Sequence, residues 1–110
     1  MDIYVDGSGK GKCGFVADNT TRFVGKGTLT NNQAEYIAVI KALEWVNERD
    51  VTILSDSQVI VNQLSHNWHI KNDRLRELAV KVWDLIDRKR LKVEFKWIPR
   101  EQNKAGKLLG

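Results

Sequence analysis

Thr30-Asn31-Asn32-Gln33-Ala34-Glu35, together with the run it opens from Tyr36 to about Glu48, is the stretch around which this chain is organised. Tyr36, Val39, Ile40, Leu43 and Val46 recur at helical spacing, Ala38, Ala42 and Trp45 widen the apolar arc, and Lys41, Glu44 and Glu48 form the polar side. Asn32 is a good N-cap. Glu35, three residues on, would complete a capping box by reaching back to the Asn32 backbone N–H. The helix lies between a block that reads as strands and a block that alternates strand and helix. It should therefore pack on a sheet that both blocks share.

Toward the N-terminus, Asp2 to Val5 is β-branched and aromatic and reads as a strand ending at Asp6, where Gly7-Ser8-Gly9 turns the chain. Cys13 to Ala17 is a second strand and Thr21 to Leu29 a third, with Gly25 and Gly27 marking a bulge or close backbone approach. Short turns between the three imply an antiparallel meander. Toward the C-terminus, Val51 to Leu54 is an apolar run of the kind covered on both faces. Ser57 or Asp56 then caps a helix from Gln58 to about Leu64. A second amphipathic helix starts at Asn72 or Asp73, with Leu75, Leu78, Ala79, Val82, Leu85 and Ile86 on one stripe. Leu91 to Ile98 alternates apolar and charged residues, Pro99 stops it, and Gln102 to Leu109 is at best a short final helix. The order is β-β-β-α-β-α-α-β-α, an α/β fold with helices packed on a mixed sheet.

The 110 residues fit one domain, 1–110, and 42% hydrophobic with 29% charged content is ordinary for a globular protein. No apolar run approaches the roughly 18 residues a membrane span needs, and MDIYVDG lacks the features of a signal peptide, so a cytoplasmic protein with no membrane partner is expected. The lone Cys13 excludes an internal disulfide, and zinc lacks ligands; a buried, inert thiol is the ordinary reading. The net charge of +4 leans mildly toward an anionic partner.

Binding sites of α/β sheets lie beyond the carboxyl ends of parallel strands. Asp6 ends the first strand and Asp56 the fourth, so if those strands are parallel neighbours two carboxylates meet at one edge, and Glu35 can be the third. Singly, each acid has an ordinary structural role in a turn or a cap. Together they would repel one another and raise each other's pKa unless a cation is present. Carboxylate oxygens without histidine or thiolate suit Mg²⁺ or Mn²⁺. Two such ions about 4 Å apart would activate water and stabilise the leaving oxygen in phosphodiester hydrolysis.

Val5-Asp6-Gly7-Ser8, Thr30-Asn31-Asn32-Gln33-Ala34-Glu35 and Leu54-Ser55-Asp56-Ser57-Gln58, in that order and on those elements, closely resemble type 1 ribonuclease H, or ribonuclease HI. The resemblance implies a ribonuclease H-like fold with a five-stranded sheet in the order 3-2-1-4-5. It also implies metal-dependent cleavage of the RNA strand of RNA–DNA hybrids, leaving 5′-phosphate and 3′-hydroxyl ends. Asp6, Glu35 and Asp56 would be the catalytic, metal-binding acids, with Asp6 shared between two Mg²⁺ or Mn²⁺ ions. Gly7, Ser8, Asn31, Asn32 and Gln58 would meet substrate, the last three facing the minor groove, where the 2′-hydroxyl separates RNA from DNA. Double-stranded RNA is a further candidate substrate, and the protein is expected to act as a monomer.

The chain departs from the family in three places. The family's fourth acid follows an asparagine by four residues; here Asn103 leads to Lys104-Ala105-Gly106-Lys107, which puts Lys107, or Gly106 with a one-residue gap, in its place. Either catalysis runs on three acids or activity is impaired, leaving a nucleic-acid-binding module, and Glu101 is the nearest spare carboxylate. Pro99-Arg100-Glu101 stands where many members carry a histidine, and Arg100 would contact phosphate or aid product release. The basic protrusion of some members is missing, so Lys10, Lys12, Lys71, Arg74 and Lys96 are the candidates for phosphate contacts. Trp45, Trp83 and Trp97 read as core, and Trp68 as a core plug ahead of the alternative, part of a phosphate- or DNA-binding channel. Because a carboxylate turned back on its own helix cannot also point at a metal, the sharper expectation is that Asn32 caps alone, or barely caps, and Glu35 faces Asp6 and Asp56.

Overall fold

Three strands, β1 (Asp2–Gly7), β2 (Cys13–Ala17) and β3 (Thr20–Phe23), form the antiparallel meander, and α1 (Asn31–Trp45) follows. Then come β4 (Asp50–Ser55), α2 (Gln58–Leu64), α3 (Asp73–Arg88), β5 (Lys92–Trp97), a 3-10 turn (Arg100–Gln102) and α4 (Lys104–Leu109). The computed structural model describes residues 1–8, 12–18, 20–23 and 30–109. The expected continuation of the third strand to Leu29, its bulge at Gly25 and Gly27, and the side chain of Lys10 lie outside those residues. The five strands are ordered β3-β2-β1-β4-β5, with β4 parallel to both β1 and β5.

The cap of α1 differs from the expected one. Thr30 is the N-cap: its Oγ1 accepts from the Gln33 N–H at 3.1 Å, and the Gln33 Oε1 accepts from the Thr30 N–H at 3.3 Å. The box is therefore Thr30 with Gln33, not Asn32 with Glu35, because a Thr-x-x-Gln pattern satisfies the first orphan N–H groups two residues earlier. The far end also stops early, at Trp45 rather than Glu48, where Val46 turns to extended backbone. Lys89, just past α3, donates its Nζ to the carbonyls of Leu43, Glu44 and Val46 at 2.6, 3.1 and 2.7 Å, so the helix end is closed by a charge from another element. Burying Val39, Ile40 or Leu43 contributes roughly 1.5–3 kcal/mol each, against about 1 kcal/mol for an N-cap, so packing rather than capping holds α1.

The core lies where α1 packs on β1, β2 and α3. Alternation along β1 sends Ile3 and Val5 into that core and Tyr4 to the other face, where Lys104 of α4 lies 5.3 Å from its ring centroid. Val16 and Leu54, the register partners of Tyr4, are buried on that second face, and α4 covers β1 and β2 there. Asn72 caps α3 and Ser57 caps α2 through their side chains. The α3 stripe is buried from Leu75 to Leu85, with Ile86 packed at its border. Cys13 is fully buried, and burial is the main cause that pushes its thiol up.

Two tryptophans do not sit where their apolarity predicts. Trp97 is 44% exposed, because it lies at the carboxyl end of an edge strand, outside the apolar cluster that Val93 and Phe95 border. Trp68 is 48% exposed and plugs nothing. The place beside its loop is filled by Trp83, stacked on His66 with ring centroids 4.4 Å apart and bonded through Nε1 to the Leu64 carbonyl. Trp45 and Trp83 are partly buried against the core.

Candidate active site

Sheet register brings the first two acids together. Tyr4 of β1 is paired with Leu54 of β4 in parallel, and two residues further along the chain stand Asp6, still in β1, and Asp56, just past the end of β4 at Ser55. Glu35, in the first turns of α1, completes the group: Asp6, Glu35 and Asp56 each offer a carboxylate oxygen within 4.8 Å of the others. Asp6 and Glu35 are buried, and Asp56 is partly so.

Glu35 is held by contacts that its helix alone would not make. The Gly7 N–H donates to its Oε1 at 3.0 Å, and the Ser55 hydroxyl donates to its Oε2 at 3.3 Å. Both bonds aim the carboxylate at the ends of β1 and β4, which the Thr30–Gln33 cap leaves it free to reach. Gly7 is required for this approach. A Cβ there would lie 2.4 Å from the Ala34 carbonyl carbon and 2.6 Å from the Glu35 nitrogen, so only glycine lets the end of β1 touch the start of α1.

The last elements of the chain close the other side of the cluster. Asn103, fully buried, donates its Nδ2 to the Val5 carbonyl at 2.9 Å and to Asp56 Oδ2 at 3.3 Å, while its Oδ1 accepts from the Ala105 and Gly106 N–H groups. One amide thus ties α4 to both β1 and Asp56. Trp97 Nε1 donates to the Asp56 carbonyl at 3.1 Å. Arg100 places its Nη1 3.3 Å from Asp6 Oδ1 and 3.2 Å from Asp56 Oδ2.

Burial dominates the electrostatics. It pushes Glu35 up to about 8, aided by the nearby charge of Asp6 and opposed by the Gly7 N–H. Burial, then Asp56, also raises Asp6, while Arg100 pulls it down. Asp6 and then Asp56 raise Arg100 further still, keeping it charged. Three carboxylate oxygens within 4.8 Å of one another, with no imidazole or thiolate among them, fit a hard divalent cation.

The remaining candidates fall into two groups. Gly7 and Ser8 lie beside the cluster, and Asn31, Asn32 and Gln58 stand at the starts of α1 and α2, with Asn31 and Gln58 exposed. Asn32 does not cap α1. Glu101 is exposed in the 3-10 turn and is not part of the carboxylate group among the described residues. Of the two residues that could stand for a fourth acid, Lys107 is exposed, whereas Gly106 is buried and a Cβ built on it would lie 3.6 Å from the Arg100 Cζ. Gly106 is the one that lies against the Arg100 guanidinium. Sequence reasoning gave no role to Ser55, Trp97 or the amide of Asn103. Only Asn103 carried a readable signal, an asparagine directly ahead of a helix.

A protein-family model described as reverse transcriptase-like matches residues 10–109. A ribonuclease H of Vibrio campbellii is 32% identical over 117 residues, covering 89% of this chain and 76% of that protein. A bifunctional protein of Mycobacterium tuberculosis is 32% identical over 80 residues, and the match spans only 22% of its length against 70% of this chain. The solved RNase H1 of Halobacterium salinarum superposes with a TM-score of 0.82 at 28% identity, covering 98% of this chain and 92% of that one. LC11-RNase H1, solved in complex with an RNA/DNA hybrid, superposes with a TM-score of 0.80 at 27% identity over 98% and 91% of the two chains.

Proposed function

The chain belongs to the reverse transcriptase-like family, and from that premise we propose that it is a ribonuclease H that hydrolyses the RNA strand of RNA–DNA hybrids, leaving 5′-phosphate and 3′-hydroxyl ends. The observation that carries this reading is the meeting of Asp6, Glu35 and Asp56 oxygens within 4.8 Å at the carboxyl edge of β1 and β4. The same fold serves the relative solved with a hybrid.

Asp6, Glu35 and Asp56 would hold Mg²⁺ or Mn²⁺, two ions with substrate present. Bound there, the metal supplies electrostatic stabilisation of the attacking water and of the leaving 3′ oxygen. The protein's part is positional. Gly7 and Ser55 fix the Glu35 carboxylate, and Asn103 and Trp97 fix Asp56 from its side chain and from its backbone. Gly7, Ser8, Asn31, Asn32 and Gln58 line the approach, where amides pair with minor-groove edges and 2′-hydroxyls. Double-stranded RNA is a second substrate on this reading, and the protein acts as a monomer in one domain.

A labelled hybrid incubated at low salt with Mg²⁺ or Mn²⁺ tests the reading. The RNA strand should be cut internally, and Asp56→Asn should lower the rate by more than about a hundredfold, since even outer-sphere partners of metal ligands cost 10–100-fold. No cleavage with either metal, or an undiminished Asp56→Asn, would overturn it. One observation favours a second reading, a binding module with impaired catalysis: neither Gly106 nor Lys107, the two positions that could stand for a fourth acid, is a carboxylate. Hybrid retained on the protein without metal-dependent cleavage would support that reading.

A further inference from the structure

Arg100 touches the same two side chains that the proposed metal would use. Its Nη1 sits between Asp6 Oδ1 and Asp56 Oδ2, at 3.3 and 3.2 Å, instead of pairing two nitrogens with one carboxylate. The tight geometry of arginine with an acid is the parallel fork, so one nitrogen spanning two acids is the weaker, more exchangeable arrangement. The acids are fixed and the cation is not: the side chains of Asp6 and Asp56 are 4% and 12% exposed, that of Arg100 is 61% exposed. The backbone beneath it is held, because the 3-10 turn bonds the Gln102 and Asn103 N–H groups to the Pro99 and Arg100 carbonyls. Motion is left to the side chain.

Gly106 gives that side chain its place. A Cβ on Gly106 would meet the Arg100 Cζ and Nη1 at 3.6 Å, which is ordinary contact, so any longer side chain would press on the guanidinium where it bridges the acids. Among the described residues Arg100 is the one cation paired with these carboxylates. Its charge and that of a divalent ion are alternatives for the same oxygens.

We propose that Arg100 is an internal cation that exchanges with the divalent metal: it bridges Asp6 and Asp56 when no ion is bound and swings outward when one is, with Gly106 providing the space it occupies. The inference rests on Asp6 and Asp56 being metal ligands. An occupied bridge lowers the fraction of protein ready to take metal, and apparent affinity falls by that fraction. The exposure of Arg100 keeps the effect modest, because solvent screens the pair.

Calorimetric titration of Mn²⁺ into substrate-free protein separates the possibilities. Arg100→Ala and Arg100→Gln should each bind Mn²⁺ about three- to tenfold more tightly than the unaltered chain, the range expected for removing a partly exposed ion pair. Both variants should also melt at lower temperature in chelator, with the gap closing at saturating Mn²⁺. Equal or weaker Mn²⁺ binding in both variants would overturn the proposal. So would tighter binding in Arg100→Ala with unchanged binding in Arg100→Gln, since that pattern reports space rather than charge. Asp56→Asn is the control for the underlying reading: if it binds Mn²⁺ as well as the unaltered chain, the acids are not the ligands and the metal assignment itself fails.

Discussion

The two sides of the acidic cluster are built differently. Asp6, Glu35 and Asp56 stand on β1, α1 and the end of β4, elements anchored in the main core and locked by parallel register. Arg100 lies on a three-residue turn, Gly106 on a six-residue helix that packs on β1 and β2, and Asn103 joins the two and bonds Asp56. The first side is rigid because moving any acid means slipping a strand or lifting α1. On the second, the Arg100 side chain is 61% exposed and can move without disturbing the sheet. Acids are thus presented by the permanent framework, and the cation that answers them hangs from the part of the fold most easily altered.

Breaking the rigid side should cost most. Gly7→Ala forces a methyl group into the Ala34 carbonyl, so β1 and α1 must separate; we expect a loss of about 1–3 kcal/mol in urea unfolding, typical of overpacking, together with cleavage reduced at least about tenfold as Glu35 shifts. Unchanged stability and rate would show that the close approach does not matter. Asn103→Ala tests the other side. It leaves the Val5 carbonyl and two α4 N–H groups without their partner, and a loss of about 1–3 kcal/mol is expected, with Mn²⁺ affinity lowered about 10–100-fold through Asp56. Retained metal affinity in a destabilised Asn103→Ala would make the amide a purely structural tie.

The smallest effect separates the sides by charge type, since burial raises Glu35 on the rigid side and the mobile side carries a permanent cation. Glu35 is raised on folding from an ordinary 4.5 to about 8, so the folded chain binds more protons than the unfolded one between those values. Its stabilising effect is complete below about pH 4.5 and is lost as pH rises toward 8. In chelator, unfolding free energy should therefore decline with pH over this window by no more than about 1.4 kcal/mol per unit per proton, and Glu35→Gln should flatten the slope. A rise with pH, or an undiminished slope in Glu35→Gln, would contradict the account.

Much of the fold was legible because it depends on local pattern. The 3.6-residue period of Tyr36 to Val46, the apolar run Val51 to Leu54 and the stripe from Leu75 to Leu85 each name an element and its buried face. The misreadings share one cause, competition that only neighbours in space reveal. Thr30 displaced Asn32 as the cap because two nearby side chains offered the same chemistry, and α1 ended early at a lysine 43 residues beyond Val46. Trp68 and Trp97 looked like core because apolarity does not say whether a cover exists.

What the sequence by itself determined is the set of elements and the three acids that end or begin them, since hydrophobic period and turn chemistry are local properties of the chain. Tertiary structure decided how those acids are used. Parallel pairing of β1 with β4 brought Asp6 and Asp56 together, and the touch of Gly7 on α1 aimed Glu35 at both. Folding of the last helix set Gly106 against Arg100, whose guanidinium lies between two carboxylates, a contact across 94 residues to Asp6 that no local pattern encodes.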